Sequence, residues 1–171
     1  MEPSASSVEV ATRLFAALRD RNLDLIRSLD HPDVVRDFVA VAEFRGVDAC
    51  QEFFTELLAA FPDFDIQVAN MIADGDHVVS EWRATGTFTG TPFRGVHATG
   101  RPVELRGCDV MHFDQGKLKR NTVYYDGLGF ARQIGLLPKE GSAGDKGLTA
   151  AFNVSIDLRT RIRSRATSSA H

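Results

Sequence analysis

The carboxylate of Asp126 stands between two stretches of different character. It ends the β-prone run "VYYD", and the amphipathic stretch "GLGFARQIG" follows it directly. Aspartate is among the preferred residues for capping the N-terminus of a helix. A carboxylate at the end of a strand can equally lie at the mouth of a cavity and transfer protons. The sequence around this position permits both roles.

A carboxylate such as Asp126 can act as a base on an active methylene group, which two neighbouring carbonyls make acidic. Moving the carboxylate from water into an apolar pocket raises its pKa and brings it closer to the working pH. The resulting enolate oxygen needs a hydrogen-bond donor, and His112, Tyr124 or an ordered water can supply one. The same carboxyl group then returns its proton to the new alkoxide. This chemistry needs no metal and no organic cofactor.

The predicted strand register determines which polar side chains share a face with Asp126. A two-residue turn at 115–116 places Asp109 and Tyr124 on the same face as Asp126, and His112 on the opposite face. A β-bulge between His112 and Asp126 is required to bring these two side chains together. Asp109 is therefore a competing candidate for a second acid or a polar group of the pocket.

The apolar pattern predicts helices first and antiparallel strands afterwards. A first helix is predicted from the capping-box spacing of Ser6 and Glu9 and from the helical repeat of Ala11, Leu14, Phe15 and Leu18. Further helices are predicted over "NLDLIRSL" and "GVDACQEFFTELLAAF", with a strand between them and a short helix after Asp126. Two hairpins are predicted, with turns at 74–75 and at 115–116. Helices that precede a run of antiparallel strands indicate an α+β fold, with a hollow between the sheet and the helices.

Composition and motifs argue against several functional classes. The net charge is −3 and the pI is about 5.9, so nothing favours nucleic acid or an anionic membrane surface as a partner. The five histidines show no HxH or HExxH spacing, which argues against a metal site. Cys50 and Cys108 lack a CxxC pattern and are expected to be reduced thiols. Without a secretion signal or a membrane-spanning apolar run, a cytoplasmic location is expected.

Residues 139–171 differ in composition from the rest of the chain. The run "KEGSAGDKG" is typical of a linker. The following "FNVSIDLRTRIR" alternates apolar and basic residues, which predicts an added edge strand or a segment that folds onto a partner. A partly disordered basic tail is the alternative. The main domain is therefore expected to span residues 1–138, followed by a linker and C-terminal extension at 139–171.

The segment "GTFTGTPFRGVHATGRPVELRGCDVMHFDQGKLKRNTVYYDGLGFARQIGLLP" resembles the SnoaL-like polyketide cyclases of the NTF2-like superfamily. The similarity extends over roughly residues 8–138, and its most specific parts are "TGRPVELRG", the hairpin around "DQGK" and "DGLGFARQIG". The resemblance implies a cystatin-like α+β cone, in which a curved antiparallel sheet packs on three to four helices around a cavity. It also implies a homodimer formed through the sheet.

The resemblance further implies a cofactor-independent cyclase of secondary metabolism, an isomerase or lyase that closes a ring by an intramolecular aldol reaction. Its substrate would be a hydrophobic small molecule, polycyclic or polyketide-like. In such cyclases an Asp near the end of the last strand is the general acid/base, and a His on the preceding strand assists it. These roles fall on Asp126 and on His112, fourteen residues earlier. Large apolar side chains are expected to line the pocket: Phe54, Trp82, Phe88 and Met111.

Two positions depart from the family pattern. Phe88 occupies the place of a His in the "GTHTG" motif of many relatives, and Glu81 occupies the place of an Arg. Both changes alter the cavity lining, so the substrate does not transfer from the relatives. Three alternatives stay open: an epoxide-opening cyclase or hydrolase, a cofactorless hydroxylase, and a non-catalytic cone that binds a small molecule or a protein.

Overall fold

A computed structural model describes residues 6–168, with side chains described as far as residue 159. Residues 1–5 of the predicted main domain and residues 169–171 of the predicted C-terminal extension lie outside the described residues. The helices are α1 (Ser7–Arg19), α2 (Leu23–Leu29), α3 (Val47–Ala60), α4 (Gly127–Gln133) and α5 (Ala143–Ser168). The strands are β1 (Asp30–Phe38), β2 (Ala42–Arg45), β3 (Asp65–Asp74), β4 (His77–Thr87), β5 (Pro102–Asp114) and β6 (Lys117–Tyr125).

All six strands form one sheet in the order β2-β1-β6-β5-β4-β3. Strands β3, β4, β5 and β6 pair successively with one another in antiparallel fashion. Strand β1 pairs with β6 in parallel and carries the short antiparallel β2 at the sheet edge. The sheet is therefore mixed, whereas a wholly antiparallel sheet was expected. Because β1 lies beside a strand that is distant in the sequence, no hairpin turn dictates its direction.

Helices α1 to α3 pack on one face of this sheet and enclose the core. Ser6 and Glu9 form the predicted capping box at the start of α1, in which each side chain accepts a hydrogen bond from the backbone N–H of the other residue. Helix α3 ends just before Pro62, which cannot continue a helix. Four of its buried side chains join the core between the helices and the sheet: Cys50, Phe53, Phe54 and Ala60.

One irregularity in the β5–β6 hairpin determines which side chains face the helices. The hairpin turns at 115–116 as predicted, but His112 pairs with Arg120 and not with Lys119. A β-bulge here holds one extra residue in β6, and it reverses the inward and outward positions of the rest of that strand. Asn121 consequently points into the interior, where it is 2% exposed.

The strand expected near the C-terminus is a helix in the structure, α5. The Ser142 Oγ accepts a hydrogen bond from the Asp145 N–H at 3.2 Å, and the Asp145 carboxylate accepts one from the Gly141 N–H at 3.0 Å. This local capping favours a helix over the strand that the alternating pattern predicts. No helix within residues 6–168 is long and apolar enough to cross a membrane. Large apolar side chains of α5 are exposed: Leu148, Phe152, Val154, Ile156 and Leu158.

Candidate active site

A cavity of about 90 Å³ lies between the helices α1, α2 and α3 and the inner face of the sheet. Its wall is mostly apolar and combines residues of three helices with residues of β1, β3, β4, β5 and β6. An apolar pocket with a few convergent polar groups is the most common form of a small-molecule site. Four lining residues bring a charged or hydrogen-bonding group to the wall: Arg36, Trp82, Asp109 and Asn121.

Asp109 is held in this wall by two neutral donors. The Trp82 Nε1–H donates to its Oδ1 at 2.7 Å, and the Asn121 Nδ2 amide donates to its Oδ2 at 2.7 Å. Burial raises the pKa of Asp109, while the hydrogen bonds from Asn121 and Trp82 and the charge of Arg36 act in the opposite direction. The carboxylate is therefore a stronger base than one in water, and both of its oxygens are fixed in place.

Gly107 explains how the Trp82 indole reaches Asp109. Trp82 and Gly107 stand directly opposite each other in the β4–β5 pair. A Cβ atom at position 107 would lie 2.3 Å from Cζ2 of Trp82 and 2.7 Å from the carbonyl oxygen of Tyr124. Glycine therefore leaves the room that the indole needs to lie across β5 and donate to the carboxylate two residues further along.

A buried ion pair between Arg36 and Asp30 forms the second charged feature of the wall. The Arg36 Nη2 donates to the Asp30 Oδ1 at 2.6 Å, and both residues are buried. The guanidinium also lies over the Phe54 ring, 5.0 Å from its centroid. Arg36 lines the cavity and Asp30 does not. The cavity is thus lined by the positively charged member of the pair.

Two polar atoms of the wall lack a hydrogen-bond partner among the described residues. They are the Nε of Arg36, a donor, and the Oδ1 of Asn121, an acceptor. Buried polar groups in proteins nearly always have a partner. A ligand with an anionic or carbonyl oxygen would satisfy Arg36, and a ligand hydroxyl would satisfy Asn121.

The structure does not bring Asp126 and His112 together. Asp126 is exposed and caps α4, where its Oδ1 accepts a hydrogen bond from the Gly129 N–H at 2.8 Å. His112 lies on the outer face of the sheet, 3.4 Å from the Asp76 carboxylate. Position 107 of β5 lies opposite the end of β6, so roughly 17 Å of strand separates the two side chains. The expected acid/base pair is not formed, because His112 lies near the turn of the hairpin and Asp126 follows its opposite end.

The remaining predicted pocket residues divide between the cavity and other places. Phe54, Trp82 and Met111 line the cavity. Phe88 does not line it: this side chain is fully buried and stacks on Phe61, with 5.1 Å between the ring centroids. Tyr124 is half exposed on the outer face of the sheet, so it cannot donate to a ligand in the cavity.

Sequence reasoning missed two polar residues of the wall, Arg36 and Asn121. Arg36 had a recognisable signal, because it alternates with the inward-facing Val34 and Phe38 and so places a charge at an inward position of an apolar strand. Asn121 had no such signal. Its inward position depends on the bulge, and no residue type near the bulge predicts it.

Solved structures with the same architecture define the class of protein. A proposed SnoaL-like polyketide cyclase from Jannaschia sp. CCS1 is 26% identical, with a TM-score of 0.70 over 77% of this chain and 93% of that one. AclR, a proposed hydroxylase from Streptomyces galilaeus, is 22% identical, with a TM-score of 0.69 over 91% and 95%. An NTF2-like protein from Burkholderia pseudomallei K96243 is 16% identical, with a TM-score of 0.66 over 77% and 98%. The chain has the α+β NTF2-like fold.

The sequence places the chain more narrowly within this class. The family model described as SnoaL-like polyketide cyclase matches residues 8–134, which include helices α1 to α4 and all six strands. The chain belongs to the SnoaL-like polyketide cyclase family, and the resemblance seen in the sequence is confirmed. A comparison with curated protein sequences finds no match.

Proposed function

We propose that the chain is a cofactor-independent cyclase that closes a ring in a polyketide-like intermediate, with Asp109 as the general acid/base. The observation that supports this role is a carboxyl group held by two neutral donors in an apolar cavity. Among the described residues that line the cavity, Asp109 is the one carboxylic acid. The role that the resemblance assigns to Asp126 therefore passes to Asp109.

The proposed reaction starts when the Asp109 carboxylate removes a proton from an active methylene carbon of the substrate. The electron pair of the broken C–H bond forms an enolate, whose carbon attacks a carbonyl carbon of the same molecule and makes the new C–C bond. The attacked carbonyl oxygen becomes an alkoxide and takes the proton back from Asp109. Atoms and charge balance without a co-reactant, and the cavity assists by holding both reacting ends together.

Arg36 and Asn121 complete the proposed chemistry. The guanidinium of Arg36, a residue of the cavity wall, suits the enolate oxygen, where the developing negative charge needs a donor. Asn121 positions one oxygen of Asp109 through its Nδ2. The apolar remainder of the wall suits a hydrophobic substrate and keeps water away from the enolate.

The same wall favours ring closure over epoxide opening. Epoxide opening by two carboxyl groups needs one group to activate the nucleophile and a second to protonate the leaving oxygen. Asp126 lies outside the cavity, and Asp30 is bonded to Arg36. A single carboxyl group that accepts and returns one proton fits the aldol sequence better.

Proton exchange at the α-carbon of a β-ketoester probe tests Asp109 without the natural substrate. We expect the wild-type protein to accelerate exchange in D2O, which ¹H NMR follows. Asp109→Asn should reduce that acceleration by a factor of about 10²–10⁴. The Asn121 amide can turn in this variant so that its Oδ1 accepts a hydrogen bond from the new amide, which preserves the fold. Asp126→Asn is the matched control, because Asn also caps helices well.

Each outcome of this experiment has a definite meaning. Full exchange activity in Asp109→Asn would contradict its role as the base. Loss of activity in Asp126→Asn, with full activity in Asp109→Asn, would return the acid/base role to Asp126. Absence of any acceleration by the wild-type protein would contradict the proposed enolate chemistry as a whole.

A further inference from the structure

Three metal-ligating side chains cluster on the outer face of the sheet, away from the cavity. Asp76, His77 and His112 each offer one ligand atom, and these atoms all lie within 4.8 Å of one another. The His77 Nδ1 is 2.6 Å from the Asp76 Oδ1, and the His112 Nε2 is 3.4 Å from the Asp76 Oδ2. Two imidazoles and a carboxylate are a donor set that suits borderline divalent cations such as Zn²⁺.

The backbone holds these three residues in place. His77 and His112 are directly opposite each other in the β4–β5 pair, and their rings stack with 4.7 Å between centroids. Asp76 lies in the turn before β4, where its carbonyl oxygen accepts a hydrogen bond from the Phe113 N–H at 2.8 Å. Gly75 allows this tight turn with a φ of 58°. The ligands therefore come from a fixed hairpin end and a paired strand.

We propose that Asp76, His77 and His112 bind a borderline divalent cation, with Zn²⁺ as the representative ion. Around a tetrahedral zinc ion with bonds of about 2.0–2.1 Å, neighbouring ligand atoms stand about 3.3 Å apart. The 3.4 Å between the His112 and Asp76 ligand atoms already matches this spacing. A small rotation of the His77 ring away from the carboxylate provides the third ligand, and water takes the fourth position.

The surrounding charges are compatible with a bound cation. Asp74 pairs with His77 from the β3 side and adds a carboxylate to this end of the hairpin. Arg120 stands opposite His112 on β6, but its guanidinium is engaged by two acidic side chains, Asp37 and Glu43. A bound cation would link the β3–β4 turn to β5 on the face opposite the cavity. The site is thus independent of the ring-closing chemistry.

Calorimetric titration with Zn²⁺ tests the site on chelator-treated protein that carries no histidine tag. At about pH 7.5, where free imidazoles are mostly neutral, we expect one Zn²⁺ per chain and a higher melting temperature. His112→Ala and Asp76→Asn should each weaken binding by more than about tenfold. His97→Ala, which changes an exposed histidine outside the cluster, is the matched control and should keep the wild-type affinity.

Co²⁺ provides a second readout, because its visible absorption changes when protein ligands replace water. The wild-type protein should develop this absorption and His112→Ala should not. The proposal is overturned if the wild-type protein shows no saturable Zn²⁺ binding. It is also overturned if His112→Ala binds Zn²⁺ as tightly as His97→Ala does.

Discussion

Breaking the ion pair between Arg36 and Asp30 tests the electrostatic account of the cavity wall. The two side chains are 5% and 0% exposed, and their closest atoms are 2.6 Å apart. Removing one partner leaves the other charge buried and uncompensated, which costs about 3–5 kcal/mol. Two unit charges about 4 Å apart at an effective dielectric constant of about 20 attract by about 4 kcal/mol, which agrees with that range. We expect Arg36→Met to lower the free energy of unfolding by about 3–5 kcal/mol.

A double variant separates ion pairing from packing. Asp30→Asn combined with Arg36→Met removes both charges, so most of the loss seen in Arg36→Met should be regained. The double variant should therefore regain about 2–3 kcal/mol of the loss seen in Arg36→Met, and the losses of the two single variants should not add. Arg120→Met is the matched control, because Arg120 is a partly exposed arginine of the adjacent strand that pairs with Glu43. This control should lose less than about 1 kcal/mol.

Urea unfolding measures these free energies. Trp82 is the single tryptophan of the chain, and its buried indole lines the cavity, so its fluorescence follows the unfolding of this region. The dependence on urea concentration should have the same slope in all variants if only stability changes. A loss below about 1 kcal/mol in Arg36→Met, the level of a surface pair, would refute the account. Losses of the two single variants that simply add in the double variant would refute it as well.

Two further predictions concern Asp109 and its neighbour Gly107. Because burial raises the pKa of Asp109 in the folded protein, the free energy of unfolding should fall as the pH rises from the unfolded pKa towards the folded one. Asp109→Asn should flatten this dependence in urea unfolding above about pH 4, and an unchanged slope would argue against the raised pKa. Gly107→Ala pushes a Cβ atom into the Trp82 indole, so we expect a loss of about 1–3 kcal/mol and a shifted fluorescence spectrum. Gly147→Ala, with nothing within 4 Å of the added atom, should show neither change.

Most of the fold was predictable because its signals are local. The capping box of Ser6 and Glu9 and the turn at Gly75 each lie within a few residues, and the apolar face of α3 repeats over a single element. The direction of β1 was not predictable, since it depends on pairing with the distant β6. Helix α5 was missed for another reason. Its capping signal at 142–145 competes with an alternating pattern that is typical of a strand.

The candidate site was only partly predictable because it depends on register. Asp109 faces inward, as a regular hairpin predicts, and it lines the cavity with Trp82 and Met111. Tyr124 was expected on the same face and lies on the other one. Because side chains alternate between the two faces of a strand, one extra residue moves every later side chain to the opposite face. Because the bulge was not recognised, the side chains in the second half of β6 were predicted on the wrong face of the sheet.

The bulge in β6 also explains how Asp109 can be a base. In a regular hairpin Arg120 would stand opposite Met111 on the inner face, the place that Asn121 occupies. A cation so close to Asp109 would form a permanent ion pair and lower the pKa of its carboxyl group. The neutral amide of Asn121 instead fixes one carboxylate oxygen and leaves the pKa raised by burial. A group that must accept a proton from carbon and return it to an alkoxide needs this combination of fixed position and raised pKa.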